Sequence, residues 1–366
     1  MKKILSLLLA LTLTGSAAAC LSGCGSGDNS GEGKKDGSKG EVNVYNWGEY
    51  MALGQDEETK NVIEMFEKET GIKVNYTTYD TNEELYSKLR QSNDTYDVVI
   101  PSDYMITKLI KEGLLKEINY DNVPNFKYID SKFKNLPCDP EQKYTVCYSW
   151  GVTAMVYDTT QVDEKPTDWN ALWDENLKGS ILMFNNSRDA MAIAMQECGI
   201  NPANCTKADI DKAVVKLKDQ KPLLKKYVMD QVFDEMEGGQ AAIASYYAGD
   251  ISAMMDENED LDYCLPASGS NLFYDAMCIP KCSTNTANAE AFINFMQKPE
   301  IAAANCEYLR YGTPNTEAVN YLDDDIKNSE LTFPPQDYLD KCYIFGNVDQ
   351  DVYEYMQEMF VKIQAE

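Results

Sequence analysis

Aromatic, carboxylate or amide side chains stand at six places in the chain, most of them where a strand is predicted to end. Carboxylates attract a cationic group directly, and an aromatic ring attracts one through its face. Any single group of this kind is more often a packing or helix-capping group, so a binding site is predicted only if the six converge in space. The groups are Trp47 and Tyr50; Ser102, Asp103 and Tyr104; Asn185, Asn186 and Asp189; Tyr246, Tyr247 and Asp250; Phe273, Tyr274 and Asp275; and Tyr311.

The elements that carry these groups alternate between strand and helix, a pattern typical of α/β proteins with parallel sheets covered by helices on both faces. In open sheets of this class, ligands bind at the carboxyl ends of the strands. Ser102 and Ser187 are predicted to cap the helices that follow them. The predicted strands are 41–45, 72–76, 96–100, 179–184, 241–247, 261–266 and 275–280, and the predicted helices are 61–71, 82–90, 103–113, 188–199, 289–299 and 351–364.

The composition excludes several classes of function. The chain of 366 residues has a formal net charge of −27, so phosphates repel it and a nucleic-acid partner is not expected. It contains no histidine, which removes Ser-His and Cys-His catalytic pairs and the commonest zinc ligand. Phosphate-binding glycine loops and nucleophile elbows are also missing from the sequence. We therefore expect neither metal nor cofactor, while the acidic balance permits a cationic ligand.

Residues 1–24 are predicted to be a lipoprotein signal peptide. Two lysines precede an apolar run, residues 4–13, that is too short to cross a membrane. The sequence LSGC resembles a bacterial lipobox, so Cys24 is the expected lipidation site, with Cys20 as a weaker competitor. Residues 25–40 are rich in Gly, Ser, Lys and Asp and predict a flexible tether. We expect a folded domain that is anchored to the outer face of the cell membrane.

Nine cysteines follow the signal peptide, an odd number that leaves at least one free or paired between chains. Cys198 and Cys205 flank a turn-like segment, and Cys278 and Cys282 flank a Pro-Lys turn, so both pairs are candidate disulfides. Without CxxC spacing or histidine, a zinc site is not expected. Buried free thiols are the predicted state of most of the nine.

Five segments together resemble the bacterial spermidine/putrescine-binding proteins, the extracytoplasmic receptors of polyamine ABC importers. They are YNWGEY, TGIKVNYTTYDTNEELYSKL, YDVVIPSDY, DYCLPASGSNLFYDAMCIP and YGTPN, within a resemblance that covers about residues 41–366. It implies a two-lobed periplasmic-binding-protein fold of type II. Each lobe is then a mainly parallel sheet flanked by helices, and the ligand lies in the cleft between them. Lobe 1 is expected to comprise 41–150 plus 275–319, and lobe 2 to comprise 151–274 plus 320–366.

The resemblance also implies ligand contacts residue by residue. Tyr247 is assigned to one aromatic position of the family, and Tyr246 is the alternative after a shift of one residue. The positions that match the family pattern directly are Trp47, Tyr50, Ser102, Tyr104, Asp275 and Tyr311.

Other positions depart from the family pattern. Phe273 stands where the family often has tryptophan, and Asp189 where it usually has glutamate. Asn186 stands where some members have aspartate, and Phe345 is nearest to a late glutamine of the family. The sequence therefore leaves the preference between putrescine and spermidine open.

The expected function is binding of a polyamine and its delivery to the permease of an ABC importer by a monomeric receptor. Three alternatives stand beside it. The same fold can hold a different small cationic or polar solute, and Asp189 and Asp275 could serve as acid and base of a hydrolase. A surface adhesin or scaffold is the third, although it would not need an aromatic cleft.

Overall fold

The computed structural model describes residues 39–56, 58–91, 95–345 and 348–366. The predicted signal peptide, with Cys24, and residues 25–38 of the predicted tether lie outside the described residues. Within the described ranges, no helix combines the length and the apolar character needed to cross a lipid bilayer.

The described residues contain eleven strands and twelve α-helices. The strands are β1 (Glu41–Trp47), β2 (Lys73–Tyr79), β3 (Val98–Val99), β4 (Leu115–Lys116), β5 (Val146–Asp158), β6 (Ile181–Phe184), β7 (Leu224–Val228), β8 (Ile243–Tyr247), β9 (Leu261–Cys264), β10 (Leu272–Met277) and β11 (Ile279–Pro280). The helices are α1 (Val62–Thr70), α2 (Asn82–Gln91), α3 (Asp103–Lys111), α4 (Ser187–Glu197), α5 (Lys207–Gln220), α6 (Gln231–Glu237), α7 (Ala248–Glu257), α8 (Thr286–Met296), α9 (Pro299–Leu309), α10 (Asp324–Lys327), α11 (Gln336–Leu339) and α12 (Gln350–Ala365).

The two larger of three sheets organise the described residues. In the first, β1 pairs in parallel with β2 and with β3. In the second, the order is β10-β5-β8-β6-β7, with β9 also paired to β5. Here β6 runs parallel to β7 and β8, whereas β5 pairs antiparallel with β8, β9 and β10. The second sheet is therefore mixed, because a long central strand runs against its neighbours.

Strand β5 joins two hydrophobic cores. It has 13 residues, all of them buried. Trp150 packs in the core that holds Val44 and Phe66, whereas Val152 packs in the core that holds Met183. The sequence pattern did not predict this strand, because a strand buried on both faces lacks the alternation that marks a half-exposed one. The neighbouring strand β10 brings Phe273 opposite Gly151.

The last part of the chain packs on both sides of this junction. Leu322 and Ile326 pack against Ala303 and Cys306 of α9. Farther along, buried residues of α12 such as Phe360 lie in the second core. The C-terminal segment after residue 319 therefore packs against α9 before it reaches the second core.

One local prediction about a helix terminus is wrong. The N-cap of α4 is Asn186 rather than Ser187, because the Asn186 side chain accepts hydrogen bonds from the backbone N–H groups of Arg188 and Asp189. Pro299, predicted to end a helix, also begins α9, where its missing N–H costs nothing in the first turn. By contrast, the predicted stop of α1 at Gly71 is confirmed by a left-handed backbone, with φ of 72°.

All nine cysteines of the described residues are free thiols, so neither candidate disulfide is formed. Six are buried: Cys138, Cys147, Cys205, Cys264, Cys278 and Cys306. They pack as small apolar side chains, as the sequence predicted for most of the nine.

Candidate functional site

Four aromatic rings form a continuous row that crosses from the first core to the second. The ring centroids of Tyr50 and Tyr311 are 6.0 Å apart, those of Tyr311 and Phe273 5.9 Å, and those of Phe273 and Tyr247 5.5 Å. Each pair meets edge to face, with interplanar angles of 66°, 70° and 75°. Such pairs are favourable beyond the area that they bury. The four side chains come from four separate segments, so tertiary contacts alone bring them together.

Two glycines make room for the central ring of this row. A Cβ at Gly151 would lie 2.8 Å from Cδ1 of Tyr311 and 3.0 Å from Cζ of Phe273. A Cβ at Gly249 would lie 2.7 Å from Cε2 of Tyr311. Both distances to Tyr311 are shorter than carbon atoms tolerate, so only glycine at these positions lets Tyr311 lie between β5 and α7.

Asp275 lies at the Tyr50 end of the row. The Tyr50 hydroxyl donates a hydrogen bond of 2.8 Å to Oδ2, whereas Oδ1 is buried and has no hydrogen-bond partner among the described residues. The residue is 5% exposed. Burial raises the pKa of Asp275 to about 6, against the opposite effect of the Ser102 and Tyr50 hydroxyls. A buried carboxylate oxygen without a donor is a place where a cationic donor is strongly favoured.

Asp189 lies at the other end of the row. The Tyr247 hydroxyl donates a hydrogen bond of 3.0 Å to Oδ2 of Asp189. Burial raises the pKa of this carboxyl to about 6. Asp189 belongs to the first turn of α4. Oδ1 of Asn186 is the N-cap acceptor of that helix, because it accepts hydrogen bonds from the backbone N–H groups of the first turn. Asn186 thus acts as the helix cap beside Asp189, a role that the sequence pattern had given to Ser187.

The choice between two neighbouring tyrosines is decided by strand geometry. Tyr247 stands in the row, while Tyr246 is 2% exposed and donates from its hydroxyl to Oδ1 of Asp230 at 3.2 Å. Successive side chains of a strand point to opposite faces, so only one of the two can reach the row. Tyr247 is therefore the residue that the fold brings to the other aromatic rings.

Two predicted residues lie beside the row rather than in it. Trp47 packs on Tyr79, with ring centroids 4.7 Å apart, and its indole N–H is buried without a partner among the described residues. Ser102 occupies the N-cap position of α3 but makes no capping bond, and its hydroxyl accepts from Nδ2 of Asn82 at 3.2 Å. Its backbone lies in a β-bridge with Asp275.

Tyr104 has a cationic neighbour within the protein itself. Cζ of Arg188 lies 3.2 Å from the centroid of its ring. The Tyr104 hydroxyl accepts from Asn82 at 3.0 Å and donates to Oε1 of Glu83 at 3.3 Å. Phe345, the nearest match to the late glutamine, also lies near Arg188 and packs against Tyr343. The sequence pattern did not point to Arg188, because the strand-end groups that predict the site are acidic, amide or aromatic.

Two further carboxylates accompany the predicted set. Burial raises the pKa of Asp103 to about 7, and it raises that of Asp250 to about 7 as well. The Arg188 charge opposes the shift at Asp103, and the Tyr311 hydroxyl opposes it at Asp250. Both residues stand in the strand-end groups of the sequence, although neither was assigned as a ligand contact. The region offers acidic oxygens and ring faces, the groups that bind an organic cation.

Comparison with known proteins places these features in a family. A sequence profile of the bacterial extracellular solute-binding proteins matches residues 61–334. The spermidine/putrescine-binding periplasmic protein of Escherichia coli is 32% identical over 292 residues, which are 79% of this chain and 82% of the relative. The putrescine-binding periplasmic protein SpuD of Pseudomonas aeruginosa is 27% identical over an alignment of 384 positions, which covers 100% of this chain and 99% of the relative.

A solved structure agrees in fold. The spermidine/putrescine ABC transporter substrate-binding protein of Streptococcus pneumoniae superposes with a TM-score of 0.79 at 34% identity, covering 89% of this chain and 98% of that protein. The type II periplasmic-binding-protein fold expected from the sequence is thus confirmed. The chain belongs to the family of bacterial extracellular solute-binding proteins, the family that includes the spermidine/putrescine-binding proteins.

Proposed function

We propose that this protein binds a polyamine outside the cytoplasm and delivers it to an ABC importer. One observation carries the proposal. The aromatic row begins at Tyr50, which bonds Asp275, and ends at Tyr247, which bonds Asp189. Two buried carboxylates joined by a line of rings match a molecule with two cationic ends joined by methylenes.

The free energies of the individual interactions support this match. A carboxylate–ammonium pair at about 4 Å contributes about 4 kcal/mol at an effective dielectric constant of about 20, before the cost of desolvation. Each buried methylene adds about 0.8 kcal/mol. A cation over a ring face adds about 0.5–2 kcal/mol. Two ion pairs, four methylenes and several rings therefore suffice for micromolar affinity after the cost of association. Aliphatic walls would bury the methylenes equally well but would not attract the charges.

The relatives support the same ligand class. Those of Escherichia coli and Streptococcus pneumoniae carry spermidine/putrescine in their names, and that of Pseudomonas aeruginosa carries putrescine. In this chain, we assign the ligand contacts to the predicted set. It comprises Trp47, Tyr50, Ser102, Tyr104, Asn186, Asp189, Tyr247, Phe273, Asp275 and Tyr311.

The proposal also covers how the protein is attached to the membrane and where the hinge between its two lobes lies. The lipobox-like sequence supports lipidation at Cys24, which would hold a monomeric receptor next to its permease on the outer face of the membrane. The lobes are proposed as 41–150 plus 275–319 and 151–274 plus 320–366. The passage of β5 from one core to the other between Trp150 and Val152 supports a hinge there.

The test is the affinity of the chain from residue 25 onward, without the lipid-bearing Cys24, for putrescine, cadaverine, spermidine and spermine. N-acetylputrescine serves as the matched control ligand, because it keeps the methylenes but loses one charge. A polyamine at about 100 times its Kd is expected to stabilise the protein by about 2.7 kcal/mol, read as a rise in Tm. The ligand must be recovered chemically unchanged after overnight incubation, which separates a receptor from a hydrolase.

No shift with any of the four polyamines, for a folded sample free of co-purified ligand, would overturn the proposal. The search would then turn to other small cationic or polar solutes for the same site. An equal shift with N-acetylputrescine would show that the second carboxylate is not used.

A further inference from the structure

The guanidinium of Arg188 lies among three aromatic rings. Its Cζ is 3.2 Å from the ring centroid of Tyr104, 4.9 Å from that of Tyr353 and 5.3 Å from that of Phe345. These rings come from α3, from α12 and from the segment before α12. We call this set of three rings the cation cage. A guanidinium or ammonium within about 6 Å of a ring centroid is attracted by the ring, so the protein fills the cage with its own cation.

Hydrogen bonds hold the cation cage in shape. The hydroxyls of Tyr104 and Tyr353 both donate to Oε1 of Glu83, at 3.3 Å and 3.2 Å. Nδ2 of Asn82 donates to the Tyr104 hydroxyl at 3.0 Å. Two rings from different parts of the chain are therefore fixed relative to one another. A cage whose walls are fixed in this way can accept a cation without being rebuilt.

The Arg188 side chain remains positively charged in this buried position. Burial lowers its pKa, but the nearby Tyr104, Tyr353, Asp103 and Asp189 outweigh this effect and keep the pKa above its usual value. Among the described residues, no carboxylate oxygen lies within 4.0 Å of an Arg188 nitrogen. The guanidinium is thus held by ring faces rather than neutralised in a contact ion pair. Its positive charge repels any cation that binds beside Asp189, the next residue of α4.

We propose that Arg188 determines ligand specificity by occupying the cation cage at the Asp189 end of the site, so that a diamine is selected over longer polyamines. This inference rests on the proposed function. A diamine places its two ammonium groups at Asp275 and Asp189 and leaves Arg188 in place. A longer polyamine carries a further ammonium, and the face of the Tyr104 ring that would receive it is already covered by Arg188. Repulsion between the two cations then weakens binding.

The test compares the Kd values of putrescine and spermidine, measured by titration calorimetry, for the full mature chain and for Arg188→Ala. Removal of the guanidinium opens the cage, so the affinity for spermidine relative to putrescine is expected to rise by about tenfold or more. Arg188→Lys keeps a positive charge, and its affinity ratio is expected to stay within about threefold of the wild-type ratio. Thermal unfolding verifies that each variant is folded.

Arg310→Ala is the matched control, because Arg310 pairs with Asp256 at 2.8 Å and has no ring of the cation cage around it. It is expected to leave the affinity ratio unchanged. If Arg188→Ala binds both ligands with the wild-type ratio, or loses affinity for both in parallel, the specificity role is overturned while polyamine binding stands. If the wild-type protein binds none of the four polyamines, the proposed function itself is overturned.

Discussion

The hydroxyl of Tyr50 donates a hydrogen bond of 2.8 Å to Oδ2 of Asp275, 225 positions away in the chain. The bond fixes the orientation of a carboxylate whose second oxygen is buried without a partner among the described residues. An acidic group of this kind is costly in the ligand-free protein, because burial removes it from water and leaves one of its oxygens without a donor. An ammonium group of a ligand supplies the missing hydrogen-bond donor. We therefore place Asp275 at the centre of the proposed site.

Asp275→Asn is expected to reduce polyamine affinity by about 100-fold or more, because the ligand ammonium then faces a neutral amide in a buried site. The substitution preserves the shape and an acceptor for Tyr50, so the fold should remain intact. Titration calorimetry with putrescine measures the loss. Asp262→Asn serves as the control, since Asp262 is paired with Lys165 away from the aromatic row. Similar affinities for the two variants would remove Asp275 from the site.

Binding is expected to weaken as the pH falls. Burial raises the pKa values of Asp189 and Asp275 to about 6 in the ligand-free protein. An ammonium ligand favours the ionised carboxylates, so at pH 7.5 it meets mostly charged groups and at pH 5 mostly neutral ones. The affinity should fall by about tenfold for each carboxylate between these values. Calorimetry in buffers of different ionisation enthalpy would detect the proton release near pH 6. An affinity independent of pH from 5 to 7.5 contradicts this assignment.

The raised pKa values of Asp189 and Asp275 also make stability depend on pH. An acid whose pKa is higher in the folded than in the unfolded chain contributes stability at low pH that is lost as the pH rises through its folded value. For these two carboxyls, the loss occurs between about pH 4 and pH 6. Asp275→Asn is therefore expected to raise the Tm of the ligand-free protein at pH 8 relative to wild type. The gain should shrink toward pH 4, and an equal change in Tm at both pH values would contradict a raised pKa for Asp275.

Gly249→Ala is expected to displace the ring of Tyr311, because the added Cβ would lie 2.7 Å from Cε2. The crowding should cost about 1–3 kcal/mol of stability and reduce polyamine affinity, since Tyr311 joins the two halves of the aromatic row. Thermal unfolding and calorimetry report the two effects separately. Gly48→Ala is the control, because no atom outside its neighbours lies within 4 Å of its Cβ position. Wild-type affinity in Gly249→Ala would exclude Tyr311 from ligand binding.

Trp47→Ala is expected to weaken polyamine binding by a factor of about 2 to 30, the range of one cation–ring contact. The ring of Trp47 packs on Tyr79 rather than on the aromatic row. Trp47 therefore contributes to affinity only if the ligand extends to the Trp47 side of the row. Trp47→Phe keeps an aromatic face and should retain most of the affinity. If Trp47→Ala binds as well as wild type, the ligand does not reach the YNWGEY segment.

The sequence determined the family, the α/β pattern and the strand-end groups that carry the proposed site. It did so because helical spacing, apolar runs and caps are local properties. For instance, Gly71 ends α1 as predicted, since the left-handed backbone there suits glycine. The lack of histidine also restricted the chemistry before any contact was known.

Tertiary structure decided which of the candidate side chains meet. It brought Tyr247 rather than Tyr246 to the aromatic row, because the register of β8 sets which face each residue occupies. It also placed Arg188 against Tyr104. Such contacts join residues far apart in the chain, so their distances follow from strand register and helix packing. Local residue spacing does not contain that information.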